Sequence, residues 1–152
     1  IKITAKGADN SIIASSDQTL FYIAPNDSVT FGSLVDCNGV APATVEITAS
    51  SGGFIPGDSE GIVHTSNLVI SNTSEIPGTY GDTSYTGEIE NTGDKDLASV
   101  AVTVTLKNNG NIVYGDTTYV SNLAAGTKQA FELSEYNVPE HTEFIITAQS
   151  WS

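Results

Sequence analysis

Apolar residues recur at every second position over much of this sequence. The clearest stretch runs from Thr86 to Leu106, where two alternating segments flank the turn Gly93-Asp94-Lys95-Asp96. A period of two places one row of side chains on a core face and the other row in water, as in a half-buried β-strand. Gly and Asp tolerate the backbone angles of a tight turn. We therefore predict an antiparallel hairpin here, with the other strands arranged around it.

The same alternation predicts strands in the rest of the chain. They are separated by segments rich in Gly, Pro, Asn and Asp, which are typical of turns. No window has the period of 3.6 residues that marks an amphipathic helix. The other predicted strands cover residues 1–5, 12–14, 19–24, 28–34, 44–49, 67–71, 112–114, 117–120, 128–133 and 143–151. The predicted fold class is therefore all-β.

The two ends of the chain repeat each other at a spacing of about 100 residues. The alignment places Ile12 over Ile112 and Phe31 over Phe131. Each repeated element is a short strand with the same turn chemistry, so we expect the two copies to share a fold. The matching stretches are IKITAKGADNSII with VTVTLKNNGNIV, IAPNDSVTF with LAAGTKQAF, and VEITAS with FIITAQS.

The repeat is incomplete at its beginning. The predicted organisation is an incomplete unit at residues 1–50, a Gly-rich linker or loop at residues 51–66, and a complete unit at residues 67–152. The complete unit has two predicted strands, residues 67–71 and 85–91, without counterparts before Ile1. Ile1 already begins an alternating strand, so we expect a mature or excised piece of a longer product. Three alternatives account for the missing strands. They lie outside this piece of the product, the two units share one larger sandwich, or a neighbouring subunit donates a strand.

Several stretches of the second unit carry a family resemblance. They are Gly87–Asn91, Val100–Leu106, the turn at Gly110, Ile112–Val113, and Leu123–Gly126 leading to Phe131. The unit resembles the FxLYD family of small immunoglobulin-like domains, and it is similar to the CARDB adhesion-related domains. Residues Val102–Lys107 stand where the first family has its Phe-x-Leu-Tyr-Asp run. The resemblance implies an immunoglobulin-like antiparallel β-sandwich, found in extracellular, non-catalytic modules.

The charge of the chain excludes two classes of partner. Eighteen acidic residues stand against five lysines, with no arginine, for a formal net charge of −13. Nucleic-acid binding and attraction to an anionic membrane both need a basic surface. No stretch of 18 or more apolar residues is present, so membrane insertion is not expected either. We interpret the acidity as favouring solubility.

The residues that most often carry catalysis are few and isolated. Cys37 cannot form an intramolecular disulfide, and no base or oxyanion-hole motif surrounds it. His64 and His141 are predicted to be exposed, and the spacing of His64 to Asp58 and Glu60 fits no standard metal site. The sequence therefore predicts neither an enzyme nor a cofactor.

Two groups of polar residues have alternative interpretations. Asn91, Asp94 and Asp96 carry oxygen ligands of the kind that Ca²⁺ prefers, but the EF-hand spacing and terminal Glu are missing, and turns commonly use these residues. Asn26 and Asn72 begin Asn-x-Ser sequences that fit the N-glycosylation pattern. We predict no metal site and treat both asparagines as candidate glycosylation sites.

The aromatic residues offer one candidate binding surface. Tyr80 and Tyr85 flank Gly81-Asp82 in a predicted loop, and two tyrosines exposed together can stack on a sugar ring. Packing in the core is the alternative. We retain the pair as a candidate glycan site.

Together these observations predict a non-enzymatic extracellular module of a prokaryotic cell-surface protein, with a structural or adhesive role. One alternative is a subunit of an extracellular filament or pilus that assembles by β-strand complementation. Another is a carbohydrate-binding module. The expected partner is a protein or a second copy that pairs with an exposed strand edge, or else a cell-surface glycan.

Overall fold

The structure, a computed structural model, describes residues 1–20, 23–52 and 62–151. Within these ranges the chain is all-β, which confirms the predicted class. A short 3-10 turn, η1, spans Thr65–Asn67. The strands are β1 (Lys2–Lys6), β2 (Ile12–Asp17), β3 (Thr44–Thr48), β4 (Leu68–Pro77), β5 (Asp82–Asn91), β6 (Leu97–Asn108), β7 (Asn111–Leu123), β8 (Lys128–Tyr136) and β9 (Glu143–Trp151).

These strands form three antiparallel sheets of three strands each. Their orders are β2-β1-β3, β4-β5-β8 and β7-β6-β9. Such small antiparallel sheets are consistent with a β-sandwich. The alternating burial along β5, with Tyr85, Ile89 and Asn91 inside, follows from the period of two in its sequence.

The predicted hairpin between Thr86 and Leu106 is wrong. β5 pairs with β4 and β8, whereas β6 pairs with β7 and β9, so the turn after Asn91 carries the chain from one sheet to the other. The buried Asn91 amide donates to the carbonyls of Lys95 at 2.8 Å and Leu123 at 3.3 Å. Alternation is the same whether two strands pair side by side or face each other across a core.

The chain divides into two compact units. Unit 1 comprises Ile1–Phe21 and Ser33–Asp58, and unit 2 comprises Tyr22–Gly32 and Ser59–Ser152. The predicted division at residues 1–50 differs, because the structure groups the segment Tyr22–Gly32 with unit 2. Most of the predicted linker, residues 51–66, lies outside the described residues.

The apolar core of unit 2 lies between its two sheets. One buried cluster joins Ile89 and Phe131 of the sheet β4-β5-β8 to Val102 of the sheet β7-β6-β9. A second cluster joins Tyr85 to Val104 in the same way. β6 therefore contributes the central row of the core.

The sheet β2-β1-β3 repeats the sheet β7-β6-β9 residue by residue. Ala5 lies opposite Ala14, and Leu106 lies opposite Tyr114, and a register shift follows directly after this pair in both ladders. The ladder between β1 and β3 matches the ladder between β6 and β9 in the same way. Ala5 lies opposite Val45, and its counterpart Leu106 lies opposite Phe144. Because a slip of one residue would turn every side chain to the other face, the matched registers give the two sheets equivalent faces.

Gly87 and Phe131 make a close contact between β5 and β8. The two residues lie directly opposite each other, and a Cβ atom at Gly87 would lie 2.6 Å from Cζ of Phe131. The Phe131 ring therefore occupies the space that any larger residue at position 87 would need.

We expect Gly87→Ala to lower the free energy of unfolding by about 1–3 kcal/mol, because the added methyl group overpacks this contact. The usual effect of replacing Gly by Ala inside a strand has the opposite sign. Urea denaturation followed by circular dichroism measures the change. The double variant with Phe131→Leu should cost less than the sum of the two single changes, whereas strict additivity would contradict the contact.

Candidate functional site

The sheet of unit 1 has an apolar face that is covered only in part. Val45 and Ile47 of β3 lie directly opposite Ala5 and Ile3 of β1, and directly opposite residues share one face of the sheet. Ile3 and Ala5 are buried, whereas Val45 is 55% exposed and Ile47 is 65% exposed. We call these two side chains the open face.

The counterparts of the open face in unit 2 are covered. By register, Val45 and Ile47 correspond to Phe144 and Ile146 of β9, and both of these pack against the core. Ile70 of β4 packs against the same core beside Ile146. Tyr85 of β5 packs against Phe144. The open face therefore marks a position that strands like β4 and β5 cover together. Burying a Val or Ile side chain is worth about 1.5–3 kcal/mol, which unit 1 forgoes here.

A second feature of the repeat is a turn that both copies keep. The turn Ala24–Asp27 is closed by a backbone hydrogen bond of 3.0 Å and the turn Ala124–Thr127 by one of 3.2 Å. The third residue has φ 61° in the first turn (Asn26) and φ 68° in the second (Gly126). Asn and Gly are the residues that most readily accept such angles.

The chain after this turn differs between the two copies. β8 follows the second turn, but residues 28–34 form no regular strand, so the strand predicted there is wrong. β8 exists as a strand because it pairs with β5. The described part of unit 1 has no strand corresponding to β5, so the residues after the first turn lack a pairing partner.

Asp27 holds the segment Tyr22–Gly32 on unit 2. Its carboxylate accepts the backbone N–H of Thr65 at 2.7 Å, the Thr65 hydroxyl at 2.6 Å and the backbone N–H of Ser28 at 2.8 Å. The Asp27 side chain is only 6% exposed. Burial opposes its ionisation, but the hydrogen bonds from Thr65 and Ser28 outweigh burial and lower its pKa.

The rest of the segment also packs on unit 2. Ser28–Thr30 line a pocket of about 420 Å³ together with Ile70 of β4 and Ile146 of β9. A Cβ atom on Gly32 would overlap the backbone of Gly115 in β7, so the backbones of these two segments touch without side chains between them. Contacts from Asp27 to Gly32 therefore fix this part of the segment to unit 2, although the repeat relates it to β8.

We expect Asp27→Ala to lower the free energy of unfolding by about 1.5–3 kcal/mol near neutral pH, because three hydrogen bonds to a charged group are lost. The pKa of Asp27 is lower in the folded protein, so its contribution is present above the ordinary Asp value of 3.8 and is lost as the pH falls through the lowered pKa. Urea denaturation at several pH values measures this. The difference from wild type should shrink in acid, and Asp17→Ala, at the exposed end of β2, serves as the control.

A polar network closes one end of the core of unit 2. The Tyr85 hydroxyl donates to Glu75 at 3.2 Å, and Nε2 of His141 lies 2.8 Å from the same carboxylate. His141 was predicted to be exposed, but its side chain is mostly enclosed, with Nδ1 2.9 Å from the carbonyl of Pro139. Burial and the negative charge of Glu75 raise the pKa of Tyr85. The network ties β4, β5 and the loop before β9 together.

A related group joins β7 to β8. The Tyr114 hydroxyl donates to Glu135 at 2.9 Å. Burial raises the pKa of Glu135, the carboxylate of Asp116 raises it further, and the bond from Tyr114 opposes the change without cancelling it. Glu135 is therefore held in its neutral form to higher pH than a free glutamate.

We expect Glu135→Gln to remove part of the pH dependence of stability. Because the folded pKa of Glu135 is raised, its contribution is complete below the ordinary value of 4.5 and is lost as the pH rises through the folded pKa. The free energy of unfolding, measured with urea from about pH 4 to about pH 8, should fall more in wild type than in the variant. Equal slopes for the two proteins would contradict this assignment.

The structure separates the two tyrosines of the candidate glycan site. Tyr80 is 88% exposed, whereas Tyr85 is 0% exposed and packs in the core against Phe144. A sugar-stacking surface needs both rings in water, so the pair does not form one here. A glycan role would rest on Tyr80.

Both candidate glycosylation residues lie at exposed positions. Asn26 occupies a turn, and Asn72 lies at the register shift in β4, where its amide donates to Glu88 at 2.7 Å. Both have the left-handed backbone angles common for Asn in turns and bulges, with φ 61° and φ 53°. Their placement is compatible with modification at the surface, which stays a prediction.

The remaining sequence candidates are occupied by local hydrogen bonds. Asn91 accepts the N–H of Gly93, and Asp96 accepts that of Ala125. The Cys37 thiol is half-buried and lies 3.6 Å from the carbonyl of Val35. His64 accepts the N–H of Ser66 at the start of η1. Asp58 and Glu60, weighed with His64, lie outside the described residues.

Across residues 1–20, 23–52 and 62–151, no group of three or more His, Cys, Asp or Glu side chains is arranged to hold a metal ion. The same residues contain no helix of the length and apolar character needed to cross a membrane.

Sequence reasoning missed the roles of Glu75, Glu135 and Asp27. Acidic side chains on an acidic protein give no sign that they are enclosed, since their partners come from strands distant in sequence. The alternation did hold one signal for Glu135, which shares the parity of the buried residues Phe131 and Leu133 on β8.

Comparison of the sequence and the structure with known proteins found no matching family model, no matching curated protein and no matching solved structure.

Proposed function

We propose that this chain is a non-enzymatic extracellular module of a prokaryotic cell-surface protein, with a structural or adhesive role. The observation that carries the proposal is the residue-by-residue match of the sheets β2-β1-β3 and β7-β6-β9. A repeated sheet in one chain supports two related immunoglobulin-like units, of which the first is incomplete. Tandem units of this kind serve to extend and present surfaces.

Three further observations support an extracellular structural role. The stretches Gly87–Asn91 and Val100–Leu106 resemble FxLYD and CARDB-like domains, which are extracellular and non-catalytic. Polar groups of unit 2, such as Glu75 and His141, contact each other and hold strands together. A net charge of −13 suits a chain that must stay soluble at a cell surface.

A second candidate is a filament subunit that assembles by β-strand complementation. The observation in its favour is the open face, Val45 and Ile47, on the edge strand β3. Among the described residues β3 has a partner on one side only, and such an edge beside exposed apolar side chains is a ready site for a strand from a neighbour.

Sedimentation velocity over a wide concentration range, with electron microscopy of the same sample, separates the two candidates. We expect a folded monomer at all concentrations for the structural or adhesive module. Fibres or strand-exchanged dimers would overturn that role in favour of the filament subunit. Ile47→Asp provides the matched variant, because it should abolish such assembly while leaving the core of unit 2 unchanged.

A further inference from the structure

The elements of unit 2 that lack a regular counterpart in the described part of residues 1–50 are β4, β5 and β8. The turn that precedes β8 is nevertheless present in both copies, at Ala24–Asp27 and Ala124–Thr127. β8 needs β5 as its pairing partner, and β9 needs β4 and β5 as its cover. All three absences thus reduce to one missing hairpin-like pair, β4 with β5.

We propose that unit 1 binds a β-strand pair with the chemistry of β4 and β5, supplied by a polypeptide segment outside these 152 residues. The inference rests on the function proposed above and names the partner of the open face. The strands corresponding to β4 and β5 together cover Ile47 and Val45, as Ile70 and Tyr85 do for Ile146 and Phe144 in unit 2. The strand corresponding to β5 pairs with residues 28–36, which then become the counterpart of β8.

The repeat specifies one side chain of the partner. Phe131 fills the space above Gly87, and the two residues lie opposite each other. The alignment places Phe31 at the position of Phe131, so the incoming strand needs Gly opposite Phe31. In β5 the inward residues on either side of this Gly are Tyr85 and Ile89, both buried. The partner strand therefore carries large apolar residues two positions before and after a Gly.

A second copy of the same chain does not satisfy this requirement. Each chain presents two equivalent sheets, β2-β1-β3 and β7-β6-β9, and its described residues contain one pair β4–β5. Exchange between copies fills one sheet only by uncovering another, so it gains no buried surface. The partner segment is consequently a different one.

Binding also displaces residues 28–32 from their present contacts. Residues 28–32 make their contacts within unit 2, and they must give up these contacts to pair with an incoming strand. Asp27 holds the segment through its bonds to Thr65. Because only the released segment binds, weakening this attachment raises the apparent affinity for the partner.

The test uses a synthetic peptide of residues 67–92, which contains β4 and β5, titrated into the isotope-labelled full chain. We expect saturable binding with shifts in the NMR signals of Val45 and Ile47. A peptide with Gly87→Val should bind at least about tenfold more weakly, because it clashes with Phe31. Its matched control, Glu88→Val, places the same side chain on the opposite face and should bind as well as the natural peptide.

Variants of the protein identify which unit binds. Ile47→Asp should abolish binding, whereas Thr48→Asp, on the other face of β3 and opposite Lys2, should not. Asp27→Ala should tighten binding, because the segment leaves unit 2 more readily. These three variants leave the core clusters of unit 2 untouched, and its NMR signals report that it stays folded.

Absence of binding, or binding that ignores Ile47→Asp, would overturn the proposal. The second result would mean that the peptide replaces β4–β5 in unit 2. Equal losses for Gly87→Val and Glu88→Val would overturn the predicted register. The structural role is tested separately by sedimentation, so a monomer that ignores the peptide rejects this partner and leaves that function standing.

Discussion

The packing of the sheet β4-β5-β8 on the sheet β7-β6-β9 is the contact on which unit 2 depends. It buries the row of apolar side chains along β6, including Val100, Val102 and Val104, between the two sheets. Removal of apolar surface from water is the largest stabilising contribution to folding, and a sheet obtains it only when a second layer covers its apolar face. The same requirement explains unit 1, where a matching sheet leaves Val45 and Ile47 in water.

Polar contacts join the strands of unit 2 where the apolar core ends. Glu75, Tyr85 and His141 join elements at one end of unit 2, and Tyr114 with Glu135 joins β7 to β8. Enclosed charges are costly unless they are paired, so these groups fix which residues can meet there. Asp27 works similarly, because its bonds to Thr65 hold a segment on unit 2 that the repeat relates to β8. Hydrogen bonds thus decide the position of a segment that has no strand to pair with.

The sequence was sufficient for the all-β class, for most strands and for the repeat between the two ends of the chain. Period-two alternation depends on local geometry, and matched turns such as Ala24–Asp27 depend on residues close together in the chain. It was insufficient for pairing. The stretch from Thr86 to Leu106 gave the correct strands and the wrong partners, and residues 28–34 had a strand pattern without a strand. The candidate glycan pair separated for a similar reason, since the alternation of β5 turned Tyr85 inward.

What the sequence determined by itself was the alternation, the turns and the repeated register, because these follow from the backbone angles and faces that neighbouring residues impose. What only the tertiary structure decided was which faces are covered. Val45 and Phe144 have equivalent positions in equivalent sheets, yet one is exposed and the other packs on the core. The difference arises because β5 places Tyr85 against Phe144. The residues of β3 and β9 do not themselves record whether such a covering strand is present. Burial belongs to the pair of surfaces, and a local pattern describes only one of them.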